Sequence, residues 1–274
     1  MPRVTAMIDY HIHTYLCRHA EGTPEDYADI AIEKGLREIG FADHFPLSMM
    51  EVEPKTQVSM NGDEIESYFQ MVNRVSRTKN ISVKTGIELD YVPGKTVKLA
   101  KELHDYPFDY IIGSIHFMDD WDFTHPYYVG EFEQCSLADV YERYYSLVCE
   151  GCKSGLFDII GHVDVIKKFD YRPEKRILMP YYTEVANVLS DTGVCLEINT
   201  SGLDAPVNEI YPARELLKLC ISKGVKIVLG SDAHAAHQVG RYFPQAIELL
   251  KDLGVKETVV FEGRSGNLHP LKKG

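Results

Sequence analysis

Seven times along this chain a short apolar run gives way to a helical stretch, and that rhythm limits the fold more than any single residue does. The runs fall at about 7–12, 38–42, 81–89, 108–114, 157–160, 194–198 and 225–229. Helical patterns follow at about 24–35, 62–78, 96–104, 137–153, 174–191, 213–223 and 241–252, and a β-like tail closes the chain at 258–261. Strands alternating with helices predict a parallel sheet with right-handed crossovers. Runs such as Tyr110-Ile111-Ile112 and Lys226-Ile227-Val228-Leu229 suit strands buried on both faces. The 274 residues show no composition break or linker, so a single α/β domain over 1–274 is expected. The alternation alone fits an open doubly wound sheet and a closed barrel equally well.

Local signals support the elements. Thr23-Pro24-Glu25-Asp26 reads as a helix start, with Thr23 as cap, Pro24 at the first helical position and Asp26 where a capping-box acid belongs. Residues 45–60 read as a loop holding Pro46 and Pro54, and about 117–136 as a longer aromatic and acidic loop with Phe117, Trp121, Phe123, Tyr127 and Tyr128.

The residues that end the strands choose between the two architectures. The first strand ends in His11 and His13, on one face by the period of two, with His19 just beyond. The second delivers His44, the third Glu88, the fourth His116, the fifth His162, and the seventh Asp232 and His234. Any one of these histidines alone is more often a hydrogen-bonded structural residue than a ligand, and Glu88 or Asp232 alone could be a solvated strand end or a helix cap. Together they place seven of the eleven histidines near strand ends. In a parallel barrel those ends share one rim, where active sites form; an open sheet would spread them along an edge. The expectation is a closed parallel barrel. His104, His125 and His269 read as helix or loop histidines, and His237 stays undecided.

Imidazole with carboxylate suits zinc, iron or manganese. Nine such side chains exceed the needs of one ion and suffice for three if Glu88 is shared between two. Paired ions activate water and clamp a phosphoryl oxygen. A formal charge of −12 argues against general binding to nucleic acid or an anionic membrane. No apolar run approaches a membrane span, and Met1 to Ala6 lack the core of a signal peptide. The six cysteines are scattered, and Cys149-x-x-Cys152 sits in a helical pattern, so a reduced cytoplasmic protein is expected.

His11-Ile12-His13, Ala42-Asp43-His44, Gly86-Ile87-Glu88, Gly113 to His116, Gly161 to Asp164 and Gly230 to His234 resemble the ordered motifs of the polymerase-and-histidinol-phosphatase (PHP) superfamily. Phe108 to Phe117, Phe157 to Asp164 and Glu197 to Leu203 are similar to its histidinol-phosphatase branch. The resemblance implies a distorted, TIM-like (β/α)7 barrel with three divalent ions, zinc, iron or manganese and possibly mixed. By motif, one ion takes His11, His13, Glu88 and Asp232; a second shares Glu88 and takes His116 and His162; the third takes His19, His44 and His234. The implied reaction is hydrolysis of L-histidinol phosphate to L-histidinol and phosphate by a metal-bridging hydroxide, with Glu88, Asp232 and His234 as catalytic residues. The alternative is a phosphoesterase or nuclease of the same superfamily acting on another ester. The partner is a small-molecule phosphate monoester, and the sequence leaves the oligomeric state open.

Arg18, Lys167 and Arg241 are candidates for the phosphate, though loop cations are usually just solvated. Phe117 and Trp121 either stack on the substrate imidazole or pack over the barrel mouth. Asp43 and Asp164 either orient ligand histidines or face water.

Overall fold

The computed structural model describes residues 7–53 and 56–271. Pro54 and the Met1 to Ala6 stretch considered as a leader fall outside those residues. Seven parallel strands pair in chain order: β1 Ile8–Ile12, β2 Glu38–Phe41, β3 Ser82–Asp90, β4 Tyr110–Ser114, β5 Ile159–Ile160, β6 Cys195–Asn199 and β7 Ile227–Gly230. The ring closes above the last strand. His13 N donates to Ala233 O at 2.9 Å, and Ala233 N donates to His11 O at 3.1 Å. The architecture is a nearly closed (β/α)7 barrel, so the strand-end residues do share one rim.

The crossover helices are α1 Pro24–Glu33, α2 Ile65–Thr78, α3 Thr96–His104, α4 Leu137–Lys153, α5 Lys175–Thr192, α6 Arg214–Ser222 and α7 Phe243–Asp252. The Thr23–Asp26 capping box forms as its sequence signal predicts, with Pro24 in the first turn. The helices bury their apolar faces against the outside of the strands; Tyr27 and Ala31 of α1 and Val72 and Val75 of α2 are fully sequestered.

A second, smaller core fills the bottom of the barrel. Tyr10 and Tyr110 stack there with ring centroids 4.7 Å apart, beside Ile112, Ile159 and Val228. Gly40 and Gly86 are required beside them, because a Cβ at either position would overlap the Tyr110 ring. The C-terminal hairpin, β8 Glu257–Glu262 with β9 Ser265–Pro270, closes this end. Phe261 packs on both tyrosines, and its amide donates to Tyr10 Oη at 2.9 Å. The bottom is therefore apolar and plugged, and polar side chains collect at the top.

One irregularity in β1 sets up that top layer. Between the pairs Asp9–Ile39 and Ile12–Phe41, β1 advances three residues while β2 advances two. A bulge of this kind re-aims side chains. Tyr10 joins the inner core, and His11 beside it also turns inward. The aromatic 117–136 segment is more ordered than the expected loop. It forms a short antiparallel pair, Phe117–Met118 with Trp121–Asp122, and a 3-10 stretch at Pro126–Gln134. Trp121 against Phe132 (4.7 Å) and Phe132 stacked on Tyr171 (5.2 Å) give it a core of its own.

Candidate metal centre

Glu88 stands at the middle of the rim, fully buried, and its two oxygens face different sets of histidines. Oε2 lies 3.0 Å from His44 Nδ1, 3.3 Å from His11 Nε2 and 3.5 Å from His13 Nε2. Oε1 lies 3.1 Å from His162 Nε2 and 3.6 Å from His116 Nε2, and accepts from Ser114 Oγ at 2.6 Å. Asp232 Oδ1 sits 3.3 Å from His13 Nε2 and 3.8 Å from His11 Nε2. Nitrogen atoms of His19, His44 and His234 lie within 4.8 Å of one another. All nine strand-end candidates thus converge, and each set of neighbours overlaps the grouping that the motifs imply. Three side chains cross those groupings: His44 also meets Glu88 and His116, His13 meets His234, and His11 meets His162.

The electrostatics divide the histidines. Burial works against charge on His11, but Glu197, Glu88 and Asp232 outweigh it and raise its pKa well above the usual value. His13 is likewise disfavoured by burial but lifted to about 9 by Asp232, Asp43 and Glu88. Burial also opposes charge on His116, yet Asp90 and Glu88 raise it to about 9. Burial holds His19, His44 and His234 below the ordinary value, so these three present neutral imidazoles. Burial opposes charge on Glu88 and Asp232 too, but His44, His11 and His116 outweigh it at Glu88 and His11, His13 and His234 at Asp232, so both carboxyls fall well below their usual range.

The polar atoms at this rim fit a cation. His11 Nε2, both nitrogens of His13, Glu88 Oε2 and His234 Nε2 are buried without a hydrogen bond. Buried polar groups in folded proteins are nearly always bonded. Here they approach one another at ion-pair distances without hydrogen-bond alignment, as ligands sharing an ion do.

Three of these histidines face a carboxylate from behind. His11 Nδ1 lies 2.7 Å from Glu197 Oε1, and Glu197 Oε2 accepts from the amide of His162 at 2.7 Å. His116 Nδ1 meets Asp90 at 3.1 Å. His13 Nδ1 faces Asp43 Oδ1 at 3.6 Å, and Asp43 also binds Thr14 through its amide and hydroxyl. Such partners fix ring orientation and raise ligand basicity. Asp43 occupies the orienting position. Asp164 does neither of the things expected of it: its Oδ2 accepts from Ala213 N at 2.7 Å and pairs with Lys167 at 2.9 Å, away from both histidines and water.

Asp232 carries a left-handed backbone, φ 51°, uncommon for a residue with a side chain. Arg241 braces it. Its Nη2 donates to Asp232 O and its Nε to Ser231 O, each at 2.9 Å, while Nη1 pairs with Asp204 at 2.8 Å.

Above the rim opens a cavity of about 810 Å³. Phe117 and Arg241 line it as expected. Two phosphate candidates do not. Arg18 is turned to Glu64, which takes its guanidinium, and Lys167 is buried between Asp164 and Glu209 (2.9 and 3.0 Å). The neighbouring lysine lines the cavity instead: Lys168 donates to Thr124 O at 2.9 Å. The 3-10 turn Val165–Lys167 makes that exchange, since it turns consecutive side chains to different sides. Trp121 does not line the cavity and spends its ring on Phe132. His125 lies at the cavity wall, whereas His237 is exposed and outside it.

Comparison with known proteins gives a consistent result. The model of the PHP domain family matches residues 9–201. A probable histidinol-phosphatase of Deinococcus radiodurans is 36% identical over 263 residues, covering 95% of this chain and 98% of that protein. The histidinol-phosphatase of Bacillus subtilis is 28% identical, with 88% and 98% covered. The crystal structure of histidinol phosphate phosphatase from Lactococcus lactis, complexed with zinc, L-histidinol and phosphate, superposes with a TM-score of 0.81 at 25% identity, covering 96% of this chain and 99% of that one.

Proposed function

This chain belongs to the PHP domain family, and from that membership we propose that it is a histidinol-phosphatase, a phosphoric monoester hydrolase of histidine biosynthesis. The reaction is hydrolysis of L-histidinol phosphate to L-histidinol and phosphate. The observation that carries this reading is Glu88, whose two oxygens meet two separate sets of histidines inside a cavity of substrate size.

His11, His13, Glu88 and Asp232 would hold one divalent ion, His116 and His162 a second shared through Glu88, and His19, His44 and His234 a third. Bound there, such ions lower the pKa of water to about 7 and neutralise phosphoryl oxygens. Zinc is the ion in the Lactococcus relative and is our first candidate, with iron and manganese suited to the same ligands.

The protein's own part is positioning. Glu197, Asp90 and Asp43 aim His11, His116 and His13. Arg241 fixes the loop that presents Asp232 and His234. Lys168 supplies a positive charge in the cavity wall for the phosphate dianion, and Phe117 offers a flat apolar surface for the imidazole. The relationship to a probable histidinol-phosphatase over nearly the whole chain favours this ester over a nucleic acid.

The test is phosphate release by the zinc-loaded protein from L-histidinol phosphate, nucleoside monophosphates and a short single-stranded DNA. A preference for histidinol phosphate of at least about a hundredfold in kcat/KM supports the reading. Comparable rates on all three would replace it with a general phosphoesterase.

A further inference from the structure

Among the described residues, two opposite charges in the cavity wall enter no ion pair. Five acidic side chains line the cavity: Glu88, Asp90, Asp122, Asp204 and Asp232. Glu88 and Asp232 sit in the histidine cluster, Asp90 holds His116, and Asp204 pairs with Arg241. Asp122 is different. Its Oδ1 accepts from Thr124 N at 3.1 Å and Thr124 Oγ1 at 2.8 Å. Among the described residues no hydrogen bond or ion pair takes its Oδ2, and that atom is not among the sealed, unpartnered ones. Lys168 is the counterpart among the cations. Among the described residues it bonds only the carbonyl of Thr124, and none of their carboxylates lies within ion-pair distance of it.

The two are tied through one residue, since Thr124 gives its amide and hydroxyl to Asp122 and its carbonyl to Lys168. The Asp122 carboxylate acts electrostatically on Lys168 on one side and on His116 on the other. It also borders a second hollow, of about 320 Å³, whose wall carries Glu53, Asp119 and Asp120. Carboxylates therefore gather on this side of the cavity wall, within electrostatic reach of His116. A ligand matching this pattern carries an anion toward the histidines and a cation beside it. Histidinol phosphate has that form, because its ammonium sits on the carbon next to the ester methylene.

Resting on the histidinol-phosphatase reading, we propose that Asp122 receives the ammonium group of the substrate, so that the cavity selects phosphate esters with a cationic amine on the adjacent carbon. Asp122 is then a specificity residue. It touches the substrate's amine and takes no part in the chemistry at phosphorus.

The experiment compares kcat/KM of the zinc-loaded enzyme for L-histidinol phosphate and for the same ester lacking the amino group. The native enzyme should prefer the amine-bearing ester. Asp122→Asn removes the charge yet keeps an acceptor for Thr124, and it should cut that preference about tenfold or more, the loss lying in KM. Asp122→Glu, which keeps the charge, should restore part of it. A preference within about twofold of native in Asp122→Asn overturns the assignment. Should Asp122→Asn not fold, inhibition of the native enzyme decides the matter. L-Histidinol must inhibit more strongly than the alcohol without its amine, and equal inhibition overturns the proposal. A native enzyme that hydrolyses neither ester defeats the histidinol-phosphatase reading itself, which is a different result from an unchanged preference with turnover intact.

Discussion

His11 Nδ1 and Glu197 Oε1 meet at 2.7 Å with both side chains fully buried, and this contact fixes which nitrogen of His11 faces Glu88. Glu197 comes from β6 and also takes the amide of His162, so one carboxylate sets two candidate ligands. Replacing it with Gln leaves the shape and removes the charge. Partners of this kind are worth about 10–100-fold in metal affinity or activity. Glu197→Gln should therefore bind zinc more weakly by about that factor, as measured by competition with a chelator, with little change in the fold by circular dichroism. Native affinity in this variant would remove Glu197 from the orienting role.

Gly230 is the companion test. A Cβ there would overlap Glu197 Oε1 and crowd His11 Cβ. Its backbone φ is not in the left-handed region, so the demand is for space alone. Gly230→Ala should push Glu197 off His11 and reproduce the metal loss of Glu197→Gln, with a lower Tm in addition. A variant with native metal content would mean that the carboxylate moves aside without consequence.

The two adjacent lysines should fail in opposite ways. Lys167 is buried in a pair with Asp164, and breaking such a pair costs about 3–5 kcal/mol. Lys167→Met should lower the Tm strongly, because Asp164 is left charged and uncompensated. Lys168→Met should leave the Tm near native and raise KM for the phosphorylated substrate. Steady-state kinetics and thermal melts on both variants check this, and a KM effect at 167 without one at 168 would reverse the assignment.

Metal uptake should displace protons. In the ligand-free site His13 and His116 titrate near 9, because the surrounding carboxylates outweigh burial. Both are then charged at pH 7, and only the neutral ring can ligate. Zinc loading at pH 7 should release protons, seen by calorimetry in buffers of different ionisation enthalpy. Apparent affinity should rise with pH through about 9 as these rings lose their protons. Uptake without proton release at pH 7 would show that these rings are neutral beforehand or do not bind the ion.

The nine strand-end residues were readable from the sequence because a parallel barrel turns position along each strand into position in space. The residues behind them were less so. Glu197 lies inside the buried strand Cys195–Asn199, where it looks like an interruption of an apolar run. A carboxylate in such a place needs a partner, and that was the available signal. Asp90 follows Glu88 by two residues and so shares its face, which the period of two does predict. The bulge in β1 leaves no mark in His11-Ile12-His13, since the pair shares a face with or without it; what it changes is Tyr10. Choosing between Lys167 and Lys168 depends on the rotation of one short turn, and Arg18 faces Glu64 across 46 residues of chain. Both depend on tertiary geometry with no local signature.

The proposed role of Glu88 is to gather the ions that make this chain a histidinol phosphate hydrolase. Its most direct test is a titration of metal-free protein with zinc, following phosphate release from L-histidinol phosphate against bound metal, for native protein and Glu88→Ala. Expected are no turnover without metal, full turnover only beyond one bound equivalent, and in Glu88→Ala at least two fewer ions with turnover lost. Turnover by metal-free protein, or a Glu88→Ala variant that binds and works like the native chain, would contradict it.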